Sequence, residues 1–228
     1  MSRPDLARRS LAEGLAAFAL VFAGCGAIVA NDVYDGSLGS VGIALVFGLI
    51  IMVMVYATGH LSGAHINPAV TLAFTATRHF PARDAFAYVA AQLAGAVAGA
   101  LLLLAAWPDQ PAELGATVPS VSGGSAFVYE LVMTAFLMFV IMAVATDTRA
   151  VGAAAAIAIG GTVGLDALFG GAVTGASMNP ARSLGPALVA GSWTDLWIYV
   201  AAPLSGAVLG ALAYGTVRGP VPEPPGGD

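Results

Sequence analysis

The stretch "SGAHINPA" at residues 62–69 returns as "TGASMNPA" at residues 174–181, an offset of 112 positions. In each copy an Asn-Pro pair stands between a glycine-bearing segment and a short apolar run. Asparagine is a favoured N-cap because its side-chain oxygen accepts from the first turn, and proline suits the first helical position because it has no amide hydrogen to leave orphaned. Asn67-Pro68 and Asn179-Pro180 therefore read as helix starts. The runs they open, 69–77 and 181–190, are far shorter than the ~20 residues a bilayer crossing needs. The preceding segments, Gly63, Ala64, His65, Ile66 and Gly175, Ala176, Ser177, Met178, read as non-helical. Such backbone is tolerated at membrane depth only where protein or a watery cavity satisfies it.

Composition supplies the membrane. The 228 residues are 58% hydrophobic and only 9% charged, against roughly 45–50% and 25% in soluble domains. Six apolar segments of spanning length follow, at 11–30, 41–58, 85–107, 126–146, 151–172 and 196–217. No cleavable leader is expected, because 11–30 is long for a signal segment and no small-residue cleavage site precedes a polar domain. The tail at 219–228, with four prolines and three glycines, is expected to be disordered.

The repeat extends beyond the two Asn-Pro-Ala motifs. "YVAAQLAGAVAGAL" at 88–101 matches "YVAAPLSGAVLGAL" at 199–212, and Glu13 in the first span is answered by Glu130 in the fourth. Two copies of a three-span unit are present, at about 8–107 and 124–218, forming one domain over 1–218. An odd number of spans per copy turns the second upside down, so the motifs enter from opposite faces. The expected fold is an all-α membrane protein of six transmembrane helices plus two re-entrant half-helices in an inverted three-helix repeat.

All eight basic residues are arginines. Seven of them (Arg3, Arg8, Arg9, Arg78, Arg83, Arg149 and Arg218) fall on one side of the six spans, whereas loops 31–40 and 108–122 have acids but no base. The positive-inside rule then makes both termini cytoplasmic. Arg182 breaks the pattern from the outer side, one turn into the second half-helix. The net charge of −5 is scattered over short loops, so no nucleic-acid surface is expected. Cys25 stands alone, which excludes an intrachain disulfide or thiolate metal site; no metal or cofactor is expected.

Two helix N-termini meeting near the midplane, each carrying about half a positive charge, repel cations. With the asparagine oxygens used in capping, each side-chain amide keeps two N–H donors for an uncharged, oxygen-bearing solute. Carbonyls at 63–66 and 175–178 are expected to supply acceptors along the path.

The duplicated Asn-Pro-Ala, in an inverted repeat with extended flanks and an arginine after the second copy, resembles the aquaporins of the major intrinsic protein family over about 8–218. The motif residues map onto Asn67, Pro68, Ala69, Asn179, Pro180, Ala181 and Arg182. The resemblance implies a passive channel for water and small neutral solutes, in the lipid bilayer of the inner cell membrane, that excludes ions and protons. It also implies a homotetramer with a pore in every subunit. It further implies a selectivity constriction at Arg182 with Phe47, Ala167 and Ala176, the last three placed by spacing from the two asparagines. Strict water channels usually have a histidine where this chain has Ala167, and glycerol facilitators usually have an aspartate where it has Ser183. "GASMNPARSLGPAL" is closer to the nodulin-like members and their bacterial relatives, which often pass glycerol, urea or metalloid acids.

Glu13 and Glu130 are intramembrane carboxyls; their symmetry and the family likeness make them supports for the re-entrant loops rather than proton relays. His65 is expected to line the inner half of the path and His60 to pack at a helix end. Asp166 is expected to bond loop backbone or a neighbouring subunit. Inverted repeats with broken helices also describe proton-coupled transporters, which need a titratable group that changes exposure. An enzyme is the weaker alternative, since no nucleophile–base cluster, metal-ligand spacing or phosphate loop is visible.

Overall fold

The computed structural model describes residues 4–147 and 154–219 and is helical, with no strand among them. Among the described residues six helices are long and apolar enough to cross a membrane: α1 (Leu6–Val33), α2 (Gly39–Ser62), α4 (Ala82–Ala106), α5 (Gly123–Thr146), α6 (Ala155–Thr174) and α8 (Ile198–Arg218). At ~1.5 Å per residue, even α6, with 20 residues, reaches the ~30 Å of a hydrocarbon core. Between them lie the half-helices α3 (Pro68–Ala76) and α7 (Pro180–Ala190), where the Asn-Pro pairs put them.

The burial pattern is that of a chain solvated by lipid. Leu11, Leu45, Leu49, Val128, Phe136, Leu165 and Leu212 are about half exposed or more, whereas Glu13, Gln92, Glu130, Asp166, Arg182 and Ser183 are at most 1% exposed. Backbone groups find no water in the hydrocarbon and so bond within helices. The side-chain polar groups gather inside, where they must find partners of their own.

The repeat organises the packing. α1 lies along α4, and α5 along α8, as equivalent pairs, while α2 crosses α6 between the halves. At that crossing a Cβ on Gly48 would come within 2.7 Å of the Gly160 carbonyl oxygen, so only glycine permits this approach. α3 packs mainly on α8 of the second half, and α7 mainly on α4 of the first. Each half-helix is thereby wedged into the opposite repeat.

The expected elements are found with shifted bounds. The first span is longer than 11–30, and Asp5 starts it as an N-cap, its carboxylate accepting from the Arg8 amide at 2.9 Å. The expected start of the fifth span, Arg3, Arg149 and the tail beyond Gly219 lie outside the described residues. Two irregularities had no signature in the hydrophobic pattern. α1 contains a π-helical turn at Val21–Cys25, and the turn at Pro111–Gly115 is left-handed, with φ near +50° at Ala112, Glu113 and Leu114.

Candidate functional site

The two re-entrant segments repeat each other's backbone. Gly63 and Gly175 end α2 and α6 in left-handed conformations, φ 95° and 85°. Ala64 and Ile66, then Ala176 and Met178, also have positive φ, between 41° and 58°. Each such residue costs roughly 1–3 kcal/mol and persists only where its surroundings over-determine it. Here they do. Glu13 accepts from the amides of His65 at 3.0 Å and Ile66 at 2.6 Å, and Ser62 Oγ accepts from Ala64. In the second repeat Glu130 accepts from Ser177 at 2.9 Å and Met178 at 2.8 Å, and Thr174 Oγ1 accepts from Ala176. Ser62 and Thr174 also donate their hydroxyls to the two carboxyls. Tyr88 and Tyr199 donate to the carbonyls of Ser62 and Thr174. Each glutamate thus accepts from two amides of its own re-entrant loop.

The supports of the two carboxyls differ at Gln92. Gln92 Nε2 donates to Glu13 at 2.8 Å and to Thr71 Oγ1 at 3.0 Å, whereas the matching position of the second repeat is Pro203. The second half substitutes hydroxyls: Thr117 donates to Ser183 Oγ at 2.8 Å, and Ser183 and Ser177 share a hydrogen bond at 2.6 Å.

At the midplane Asn67 Oδ1 accepts from Ala69, and Asn179 Oδ1 accepts from Ala181 and Arg182, so both asparagines cap as expected. Their amide nitrogens are not free in the way the capping argument implied. Asn67 Nδ2 donates to the Met178 carbonyl at 2.8 Å and Asn179 Nδ2 to the Ile66 carbonyl at 3.0 Å. Each asparagine is thus left with one free N–H rather than two, and the carbonyls of Ile66 and Met178 are occupied. The reason is the inverted axis, which brings each asparagine against the last strained peptide of the other loop.

Both asparagines line one cavity that also reaches Phe47, His65, Val70, Val163 and Arg182. It has about 60 Å³ of room for water, well above the ~15 Å³ that a cavity needs to hold one molecule. His65 lines it from the first loop, its Nδ1 3.1 Å from Thr71 Oγ1 and its ring about 5 Å from those of Phe74, Phe80 and Tyr88. Val70 is the repeat counterpart of Arg182, so the cavity carries a cation on one side only.

Arg182 is 1% exposed. Nη1 donates to the Gly115 carbonyl at 2.7 Å, and the guanidinium lies 5.1 Å from the Phe47 ring centroid. Nε and Nη2 have no hydrogen-bond partner among the described residues. The left-handed turn explains the first contact, since it buries Leu114 completely and presents the next carbonyl inward.

Phe47, Ala176 and Arg182, three of the four positions that the resemblance assigns to a constriction, line the same cavity. Ala167 does not reach it. It is half-buried on α6, one turn beyond the cavity-lining Val163 on the same stripe, about 6 Å further along the axis. Asp166 meets no loop backbone, the first of its two expected partners. It is 0% exposed, and neither carboxyl oxygen has a partner among the described residues, so the bond to loop backbone is not formed. His60 is exposed on the last turn of α2 rather than packed. Ser62, Thr174, Tyr88 and Tyr199 were missed as site residues although their repetition at offsets of 112 and 111 marked them. Gly115 and Thr117 left no comparable mark.

Residues 1–214 match the family Major intrinsic protein. The chain is 49% identical to Nodulin-26 of Glycine max over 211 residues, covering 92% of this chain and 78% of that one. It is 50% identical to Aquaporin NIP1-4 of Oryza sativa subsp. japonica over 208 residues, 91% of this chain and 76% of that one. An X-ray structure of the aquaglyceroporin from Plasmodium falciparum superposes with a TM-score of 0.82 at 26% identity, covering 92% of this chain and 96% of that one. With its duplicated half-helices, its crossed asparagines and a family match over nearly its whole length, the chain belongs to the major intrinsic protein family.

Proposed function

We propose that this chain is a passive transmembrane channel for water and small uncharged solutes. The observation that carries the reading is the pair of asparagines in one cavity, each capping a half-helix and each keeping one N–H toward the path. A solute oxygen accepts from both, which replaces part of its hydration. A water oxygen so engaged turns its own hydrogens outward, and this breaks a continuous proton wire. A monovalent cation about 4 Å from two half-charges meets a barrier on the order of 4 kcal/mol at an effective dielectric near 20. Arg182 adds to it.

Phe47, Ala176 and Arg182 form the wall of the selectivity constriction in this reading, with Ala167 at its edge, one turn beyond Val163. Arg182 donates from Nε and Nη2 as solutes pass, held in place by Gly115 and Phe47. A second reading, a facilitator mainly for glycerol, urea or metalloid acids, is favoured by the alanines at 167 and 176 and by the likeness to an aquaglyceroporin. A proton-coupled carrier is disfavoured because Glu13 and Glu130 are each held by at least three donors away from the cavity wall.

The functional unit we propose is a homotetramer in the inner cell membrane, with both termini cytoplasmic and Arg182 toward the outside. Arg8, Arg9, Arg78, Arg83 and Arg218 at one end of the bundle support that orientation. The test is stopped-flow light scattering on proteoliposomes, comparing water with glycerol, urea and arsenous acid. Water flux of low activation energy, insensitive to a pH gradient, is the expected result. Glycerol flux with negligible water flux selects the facilitator reading, and pH-driven, saturable flux overturns both.

A further inference from the structure

π-Helical turns are rare and concentrate at functional sites. The one in α1, at Val21–Cys25, stands behind both supports of Arg182. Gly24 meets the edge of the Phe47 ring: a Cβ there would lie 2.7 Å from both Cδ1 and Cζ, closer than side-chain carbons approach. The next residue, Cys25, backs the second support. A Cβ on Gly115 would fall 2.7 Å from Cys25 Cβ and 2.9 Å from its Cα, so the peptide that receives Arg182 Nη1 is pressed against this turn. Phe47 and Gly115, from different elements, therefore rest on two successive residues of one helix.

Phe47 has little freedom to retreat. It is 6% exposed, and its neighbour Gly48 is locked against the Gly160 carbonyl oxygen at the α2–α6 crossing. The open side of the ring is the cavity it lines. Any atom added at position 24 drives the ring toward the path and across Arg182.

We propose that the π turn of α1 is the seat of the constriction and that Gly24 is a specificity-determining residue, setting how far the Phe47 ring stands into the path. This rests on the reading of Phe47 and Arg182 as the constriction. Gly24 acts through Phe47 and is a positioning residue in that sense. The extra methyl of Gly24→Ala is felt most by the widest solute.

The experiment compares wild type, Gly24→Ala, Phe47→Ala and the double variant in proteoliposomes, with water, urea and glycerol as probes. One methyl in a fitted site discriminates by about ten-fold or more, so Gly24→Ala is expected to cut glycerol permeability by that factor and water by less. The double variant is expected to match Phe47→Ala to within about two-fold, because the clash is gone. If wild type passes neither glycerol nor urea, water flux itself is read, with the same loss and the same recovery. An unchanged glycerol-to-water ratio in Gly24→Ala, or a double variant that keeps its loss, overturns the proposal. If Phe47→Ala alone changes no permeability, the constriction reading fails and takes this one with it. Should Gly24→Ala not reach the membrane, the double variant must; absence of both overturns the proposal.

Discussion

Asn67 donates its side-chain amide to the carbonyl of Met178, 111 residues away, at 2.8 Å. With the return bond from Asn179 to Ile66, the midplane is a reciprocal lock between the two halves, which leaves one N–H per asparagine for the solute recognition we propose. Each asparagine therefore both holds the halves together and faces the path.

The lock predicts unequal stability losses. Asn67→Ala removes a cap on one amide and strands the Met178 carbonyl. Asn179→Ala removes a cap on two amides and strands Ile66. A lost cap costs roughly 0.5–2 kcal/mol and a stranded buried carbonyl about 1–3 kcal/mol. Asn179→Ala is expected to unfold at the lower temperature in detergent, and the double variant to lose less than the sum, since the bonds share one interface. Strict additivity would mean that the two bonds form independently.

The carboxyls behave differently from a relay. In Glu13→Gln or Glu130→Gln one oxygen becomes an NH2 facing backbone N–H donors, leaving at least one loop amide unpaired at about 1–3 kcal/mol each. Both variants are expected to lower the unfolding temperature and membrane yield, while the flux of the protein that does insert stays independent of a pH gradient. Loss of a pH-driven flux in either variant would revive the transporter alternative.

The half-helices, the repeat and the span order were legible because each rests on local chemistry: an Asn-Pro start, a glycine stop, a run of apolar residues. Glu13 and Glu130 were legible because a carboxyl in a span demands partners. What could not be read came from pairs of segments far apart in the chain. Gly115 is an ordinary loop glycine until the left-handed turn carries its carbonyl to Arg182. The second N–H of each asparagine was assigned to solute because nothing in either motif shows the other motif's carbonyl beside it. Asp166, expected to bond loop backbone or a neighbouring subunit, makes no bond to loop backbone among the described residues; the direction of such a buried group depends on how α6 turns against its neighbours.

Arg182→Val tests the cation against its own repeat counterpart, Val70. Valine keeps apolar volume near Phe47 but removes the charge, the Gly115 bond and both spare donors. Glycerol and urea permeability are expected to rise several-fold, as a constriction loses bulk, and water flux to persist. Cation conductance is expected to rise only modestly, because the two half-helix ends remain and by themselves supply the ~4 kcal/mol barrier to which Arg182 adds. Arg182→Lys is expected to resemble valine more than arginine, since an ammonium cannot bond Gly115 and stack on Phe47 together. A large cation leak would place the barrier at Arg182 rather than at the midplane.

Ala167→His probes the edge of the constriction. Ala167 lies one turn beyond the cavity-lining Val163 on the same face of α6 and is half-buried, so the small side chain stops short of the wall. A helical side chain leans back toward the N-terminus of its helix, which directs an imidazole at 167 toward Val163 and the cavity that Arg182 also lines. The ring would fill space that two alanines now leave open and add a donor or acceptor. Glycerol permeability is expected to fall by about ten-fold or more, the worth of filling a fitted pocket, and water by much less, measured by the same stopped-flow assay. Equal loss of both would mean a plug rather than a filter. No change in either would place position 167 outside the constriction, leaving Phe47, Ala176 and Arg182 to set its width.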